Sequence, residues 1–307
     1  MGAVWHKQGL LLTAPLGPPW SASHVALPAI ARGGAGSVGD RVDMYVSTRD
    51  PRGRSWIARA ELDLTDERPR VVALDPEPVL APGALGAFDD AGVTMSCVVR
   101  DGDETRLYYT GWSLGSTVPF YLAIGLAISR AGGPFERVSQ APILGRTATD
   151  PFMTASPEVH RDGGGWRMWY ASCVRWERVG GDLRHHYHLR HGTSDDGLAW
   201  NTTGTACIDF ADASEYAISR PSVLRTEDGY EMWFASRGDA YRLGYARSRD
   251  GVRWERHDTP AGLGPSETGW DSEMVAYPQV FEHDGRRLML YNGNGYGASG
   301  VGSAMAA

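Results

Sequence analysis

The chain has 307 residues, length for one large domain or two, with 42% hydrophobic residues and a formal net charge of −7. Its acidic and basic residues are interspersed rather than gathered into the basic stripe a nucleic-acid backbone requires, which excludes nucleic acid as a partner. No apolar run approaches the ~20 residues of a membrane helix, and the stretch from Gly9 to Leu12 is too short for a signal peptide, so a cytoplasmic protein without a membrane partner is expected.

In chain order, short β-rich runs recur with a regular period. VWHKQGLLL at Val4 comes first, then LPAIA at Leu27 and MYVST at Met44. MSCVV at Met95, LYYTG at Leu107 and AIGLAIS at Ala123 follow as a second set, and SPEVH at Ser156, MWYAS at Met168 and YHLRHGTS at Tyr187 as a third. RPSVL at Arg220, MWFAS at Met232 and YRLGYARS at Tyr241 make a fourth, and YPQVF at Tyr277 with LMLYN at Leu288 a fifth. Measured between Met44, Leu107, Met168, Met232 and Met289, the spacings are 63, 61, 64 and 57 residues. Such self-similarity marks a repeat architecture. The turn before each predicted fourth strand carries Gly132-x-x-Phe135, Asp196-Gly197-x-x-Trp200 or Asp250-Gly251-x-x-Trp254. Asp-Gly supplies the positive φ of a tight hairpin, and the aromatic three residues on packs the outer strand.

These runs predict an all-β fold: one five-bladed β-propeller domain over residues 1–307, with four-stranded blades. The fifth unit ends one strand short. The Val4 segment resembles RWERHDTPAGL at Arg253, with Trp5 in the place of Trp254, so the N-terminal strand is expected to join the last blade and close the ring, removing free sheet edges. The 11 Trp and 13 Tyr against 7 Phe suit strands and sugar-facing surfaces, because both rings carry a polar edge. Cys97, Cys173 and Cys207 are odd in number and widely spaced, which points to small buried thiols rather than disulfides or a thiolate metal site.

In such a fold the approaches to the first strands converge on one mouth of a central channel. They carry Ser23-His24, Asp89-Asp90, Asp150, Glu215, and Asp271 with Glu273. Carboxylates crowded into a cleft split their pKa values into acid and base, the requirement of glycoside hydrolysis. The segments leaving the second strands add Arg49, Trp112, Arg175 with Trp176, Arg237, and Asn292 with Asn294. Guanidinium forks and amides bind hydroxyl, carboxylate or phosphate groups, and indole faces stack on sugar rings. The catalytic candidates are Asp90, Glu215 and Glu273. The substrate-binding candidates are His24, Arg49, Asp89, Trp112, Ser156, Trp176, Arg220, Arg237, Asp271, Tyr277, Asn292 and Asn294. His185, His186, His188 and His191 are expected on a solvent-facing outer strand, and no metal site is assigned to them.

The five units, the carboxylates near the inner strands and the S-x-D-G-x-x-W turns resemble the five-bladed propeller glycosidases of families 43, 32, 62, 68 and 130 over nearly the whole chain. FDDAGV, SPEV, SRPSV, GWDSEMVAYP and YNGNGYG are similar to glycosidase-like propellers associated with polysaccharide or natural-product sugar biosynthesis. The resemblance implies a small sugar or glycoconjugate substrate; no cofactor is assigned, and a calcium ion in the channel, present in some family 43 members, is left open. The resemblance also implies a base Asp in blade one, an Asp in blade two and an acid Glu in blade three. This chain departs from that set: no Asp or Glu precedes Asp40, His24 occupies the approach of the first-blade base, and Glu158 follows a proline. Only Asp89 or Asp90 fits the blade-two position. Hydrolysis by carboxylates drawn from Asp90, Glu215 and Glu273 is the leading expectation. The alternatives are a phosphorylase or transferase, with Arg49, Arg220, Arg237 and His24 holding phosphate, and a non-hydrolytic propeller that binds sugar or is recruited to another reaction in a biosynthetic pathway.

Overall fold

A computed structural model describes residues 4–31, 39–257 and 262–307. β1 (Trp5–Leu12) runs along the outer side of the last sheet, and four strands of unit one follow: β2 (Ser23–Ile30), β3 (Arg41–Arg49), β4 (Ser55–Asp63) and β5 (Arg70–Leu74). Unit two is β6 (Gly92–Asp101), β7 (Glu104–Leu114), β8 (Phe120–Arg130) and β9 (Glu136–Arg137). Unit three is β10 (Thr154–Asp162), β11 (Gly165–Val179), β12 (Asp182–Ser194) and β13 (Asn201–Ile208). Unit four is β14 (Ala217–Thr226), β15 (Gly229–Arg237), β16 (Tyr241–Ser248) and β17 (Glu255–His257). Unit five holds β18 (Ala276–His283), β19 (Arg286–Asn292) and β20 (Val301–Ala306), and β1 pairs antiparallel with β20 to make its fourth strand. Within every unit the neighbours are antiparallel. Single parallel bridges, Ser55 to Gly92 and Tyr187 to Ala217, join units one to two and three to four.

Apolar side chains from adjacent units fill the spaces between sheets. Ile57 and Tyr45 of unit one meet Met95 and Val98 of unit two, and Tyr108 and Leu126 of unit two meet Val159 and Met168 of unit three. Trp169 and Leu189 of unit three meet Val223 and Phe234 of unit four, and Trp233 and Tyr245 of unit four meet Trp5 and Met289 of unit five. Phe281, Leu288 and Leu290 of unit five then pack on Val25, Met44 and Val46 of unit one.

The Asp-Gly turns lock neighbouring units. The Ser194 and Ser248 hydroxyls accept the N–H groups of Gly197 and Gly251 at 2.8 and 2.9 Å, and both glycines sit near φ 75, as the sequence requires. A second-strand aromatic of the preceding unit grips each turn: Tyr108 donates to the Gly197 carbonyl at 3.1 Å and the Trp169 indole to that of Gly251 at 2.7 Å.

Each first strand is interrupted at the same place. The pairing register shifts between Ala26 and Ala29, Met95 and Cys97, Ala155 and Glu158, Ser219 and Ser222, and Ala276 and Gln279. In four of these bulges a non-glycine residue ahead of a proline is left-handed: Leu27 (φ 54), Ser156 (φ 50), Arg220 (φ 53) and Tyr277 (φ 55). Such conformations cost of order 1–3 kcal/mol each and persist only where the surroundings enforce them. A bulge withdraws backbone groups from the ladder, and buried ones need other partners. Met95, Ser156 and Leu27 donate their freed N–H groups to Ser47 Oγ (2.7 Å), Thr110 Oγ1 (2.8 Å) and Asn292 Oδ1 (2.8 Å), each on the second strand of an adjoining unit. This explains the polar residue that closes MYVS, LYYT and LMLYN. Arg220, 1% exposed, reaches across the centre and donates to the carbonyls of Pro28 (2.6 Å) and Ser96, in units one and two.

Replacing Arg220 with Met strands these carbonyls without a donor and is expected to lower unfolding free energy by about 3 kcal/mol, read in urea melts. Arg220→Lys is expected to recover little of the loss, because a point ammonium cannot reproduce the guanidinium fork. Wild-type stability in both variants would refute the central role.

Candidate functional site

The approaches to the first strands do carry buried carboxylates, but each is turned into its own unit. Asp89 accepts from Arg137 Nε of β9 at 2.8 Å and from Tyr109 OH at 3.0 Å. Asp150 accepts from Ser172 Oγ at 2.6 Å, from Arg190 at 3.1 Å and from Tyr170 OH. Glu215 takes both arms of Arg256 of β17 at 2.6 Å, the Ala211 N–H at 2.7 Å and the Ser236 hydroxyl. Asp271 takes Lys7 Nζ of β1 at 2.6 Å and Tyr291 OH at 2.9 Å. Burial works against ionisation of Asp271, but Lys7, Ser266 and Tyr291 outweigh it and hold the carboxyl below its usual range. Burial first, and the adjacent carboxylate second, pushes the Tyr109, Tyr170 and Tyr291 hydroxyls up, so they remain protonated donors.

These four carboxylates therefore serve as clasps, tying the start of a unit to a cation on its third or fourth strand. Asp89, Glu215 and Asp271 were expected to face ligand; the structure gives their oxygens to structural partners instead. Asp90, half-buried in its loop, accepts the Gly86 N–H at 2.9 Å. The Glu273 side chain is exposed, and the residue is held through its backbone, with its N–H on Asn294 Oδ1 at 2.8 Å. Asn292 and Asn294 are spent likewise. Asn292 is fully buried and donates to the Val25 and Gly300 carbonyls, while Asn294 donates to that of Gly269. Arg220 is the central crosspiece described above. Sequence signals both roles as a polar residue at a fixed place in a repeat, so the two cannot be told apart without the fold.

One cavity opens beside the first-strand bulges. It encloses about 400 Å³ and takes Leu27, Ser156 and Tyr277 from the bulges, Thr94, Thr110 and Ser219 from strand faces, and Arg49 from the end of β3. Its wall is aromatic: Trp112, Phe120, His185 and Tyr187. Trp176 stands behind, 5.6 Å from the Phe120 ring and 5.1 Å from His185, which stacks on Tyr187 at 4.9 Å. A smaller recess adjoins, sharing Leu27, Arg49, Thr94 and Tyr277 and adding His24 and Tyr296. His24 is itself left-handed, at φ 59. Arg237 lies against three tyrosine rings, of Tyr216 (5.2 Å), Tyr241 (5.4 Å) and Tyr296 (5.3 Å). No Asp or Glu lines either space among the described residues.

Of the expected ligand contacts, the structure thus gathers His24, Arg49, Trp112, Ser156 and Tyr277 around one cavity, with Trp176 and Arg237 just behind. Sequence reasoning missed Phe120, His185, Tyr187 and Tyr296. The signal for His185 was length: β11 and β12 run to 15 and 13 residues against 9 and 8 for β15 and β16, and the surplus carries His185, with the expected Trp176, against Phe120.

The histidines correct a second expectation. His186, His188 and His191 are buried rather than solvent-facing, and His186 and His188 meet Glu177 (2.9 Å) and Asp209 (3.0 Å) separately rather than converging. Burial, and then the charges of Arg237 and His186, lowers His185 to about 4; burial and then Arg49 lower His24. Both imidazoles are neutral at pH 7. The residues also do not fit the calcium ion that the resemblance left open: a guanidinium fills the centre, and the cavity wall offers no carboxylate among the described residues.

This architecture is shared with solved glycosidases. A glycosyl hydrolase from Bacteroides ovatus matches with a TM-score of 0.75 at 14% identity, over 99% of this chain and 94% of that one. A protein of family 130, described with mannoside phosphorylases and β-1,2-mannoside hydrolases, matches with a TM-score of 0.73 at 15% identity, over 99% and 94%. The fold is thus that of the propeller glycosidase superfamily. No family model matches the chain. Two Mycobacterium tuberculosis proteins, uncharacterized protein Rv1502 of strain H37Rv and uncharacterized protein MT1551 of strain CDC 1551, are each 42% identical over 303 residues, 98% of this chain and 99% of theirs. The chain belongs to their family. No helix among the described residues is long and apolar enough to cross a membrane.

Two outcomes are expected. Glu215→Gln breaks a buried, doubly bonded ion pair and should cost about 3 kcal/mol of stability in a urea melt; an unchanged melt would remove Glu215 from its clasp. His185 and His191, both lowered to about 4 mainly by burial, bind protons more weakly folded than unfolded. Their contribution is complete above the ordinary value of about 6.5 and is lost as pH falls from there toward 4, so the melting midpoint should decline across that window. A flat profile there in the wild type would contradict it.

Proposed function

We propose that the protein is a single five-bladed propeller, closed where β1 completes the last blade, and that its central cavity binds a sugar or glycoconjugate. The cyclic order of inter-sheet packing, with unit five against both unit four and unit one, supports the closure. The observation that carries the ligand is the cavity itself. Rings of Trp112, Phe120, His185, Tyr187 and Tyr277 surround about 400 Å³, with the hydroxyls of Thr94, Thr110, Ser156 and Ser219 among them. Aromatic faces stack on sugar rings, and hydroxyls and neutral imidazoles exchange hydrogen bonds with sugar hydroxyls. The cavity is of the size class that encloses a small ligand.

Hydrolysis needs a carboxylate pair on either side of the scissile bond, with one member activating water or attacking directly. The wall offers none among the described residues, and Glu215 is already engaged by Arg256. The geometry therefore favours binding, or transfer to an acceptor such as phosphate that is nucleophilic without a base, over hydrolysis by Asp90, Glu215 and Glu273.

The test pairs binding with turnover. Sugar ligands are expected to change tryptophan fluorescence saturably, and Tyr187→Ala and Trp112→Ala to weaken that binding about tenfold each. Aryl glycosides in phosphate-free buffer are expected to release no phenol. Phosphate-free hydrolysis abolished by Glu273→Gln or Asp90→Asn would restore the carboxylate mechanism; binding indifferent to both wall variants would remove the cavity.

A further inference from the structure

The two mouths of the channel treat positive charge differently. At the far mouth the arginines are paired: Arg100 with Asp43 at 3.1 Å, Arg161 with Asp101 at 3.7 Å and Arg225 with Asp162 at 3.4 Å. At the clasps, Arg137, Arg190, Arg256 and Lys7 are paired as well. At the cavity the pattern breaks. Neither Arg49 nor Arg237 has a carboxylate or carbonyl partner for its side chain among the described residues, and the Arg237 Nε is buried without an acceptor.

A guanidinium carries five donors, and tyrosine faces attract its charge without accepting those N–H groups in good geometry. Leaving the buried Arg237 Nε unmatched is costly unless another oxygen arrives, while the exposed Arg49 keeps its donors free for a ligand. One cation lines the ligand space and the other backs it. Arg49 lines the cavity and its adjoining recess, while the Arg237 guanidinium lies 5.3 Å from the ring of Tyr296, which lines that recess. The His24 and His185 imidazoles are neutral and offer no competing charge. Among the described residues no carboxylate lines the wall to oppose an anion there.

We propose that the sugar this cavity takes carries an anionic group, a carboxylate or phosphate, held by Arg49 and Arg237 while its ring lies on the aromatic wall. This rests on the sugar-cavity reading above and names the class of ligand. Both acids present the oxygen geometry that a guanidinium fork binds in pairs, at roughly twice the strength of a neutral hydrogen bond.

The experiment is calorimetric titration of the full chain at pH 7 with glucuronate, galacturonate, glucose 6-phosphate, mannose 6-phosphate, their uncharged parents, and inorganic phosphate alone. At least one acidic sugar is expected to bind about tenfold more tightly than its parent, and that ratio to collapse toward one in Arg237→Gln and in Arg49→Gln. Arg49 is exposed, so its variant keeps the test sound if Arg237→Gln folds poorly. Preference for uronates or for sugar phosphates identifies the group. Equal binding of acids and parents overturns the proposal and leaves the sugar cavity standing. An acid preference untouched by both variants overturns the assignment to these arginines. Inorganic phosphate binding as tightly as any sugar phosphate, with no uronate binding, makes this a free-phosphate site and overturns the acidic sugar. Binding of no sugar at all overturns the cavity reading, and this inference with it.

Discussion

Each first strand is broken by a bulge, and the backbone groups that the bulges free have to be met by side chains from elsewhere. That one requirement ties the units together. Ser47, Thr110 and Asn292 catch freed N–H groups of adjoining first strands, and Arg220 catches freed carbonyls from across the centre. A bulge is normally a local event, but here its unpaired groups can be satisfied only by a different unit, so local strain becomes the fixing of one sheet on the next. The same bulges turn Leu27, Ser156 and Tyr277 toward the cavity. Structural coupling and the shape of the cavity therefore have a common origin.

The buried carboxylates show how a propeller-like scaffold can keep acidic residues near its inner strands without lining the cavity with them. Asp89, Asp150, Glu215 and Asp271 are each 8% exposed or less and each meets a cation and a hydroxyl of its own unit. A buried charge is tolerable only when paired and hydrogen-bonded, and these four are. Their positions follow the repeat because the clasp follows the repeat. The cavity is left with aromatic faces, hydroxyls, a neutral imidazole and Arg49, and on the reading proposed above this set recognises a ligand more readily than it protonates a leaving group.

The elongated hairpin of β11 and β12 departs from the repeat where the cavity needs a wall. Its extra length brings Trp176 and His185 against Phe120 of unit two, so the ligand space is built from several units rather than one. Excursions from a regular scaffold are where binding residues concentrate, because the scaffold itself is committed to packing.

Much of the fold was legible in the chain. The period of the runs, the alternation within them, the Asp-Gly turns and the match between Trp5 and Trp254 are local properties, set by strand sterics and turn chemistry, and the β1 to β20 pairing followed from them. The sequence also singled out His24, Arg49, Trp112, Ser156 and Tyr277, and the structure sets them around one cavity and its adjoining recess, because a repeat maps equivalent positions to one side. What sequence could not decide was direction. Whether Asp89 or Glu215 points at the axis or back into its own sheet depends on where Arg137 and Arg256 arrive, 48 and 41 residues later in the chain. An aspartate looks the same in both cases. Only the tertiary arrangement brings the cation that claims it, and only that arrangement shows that, among the described residues, no carboxylate claims Arg49 or Arg237.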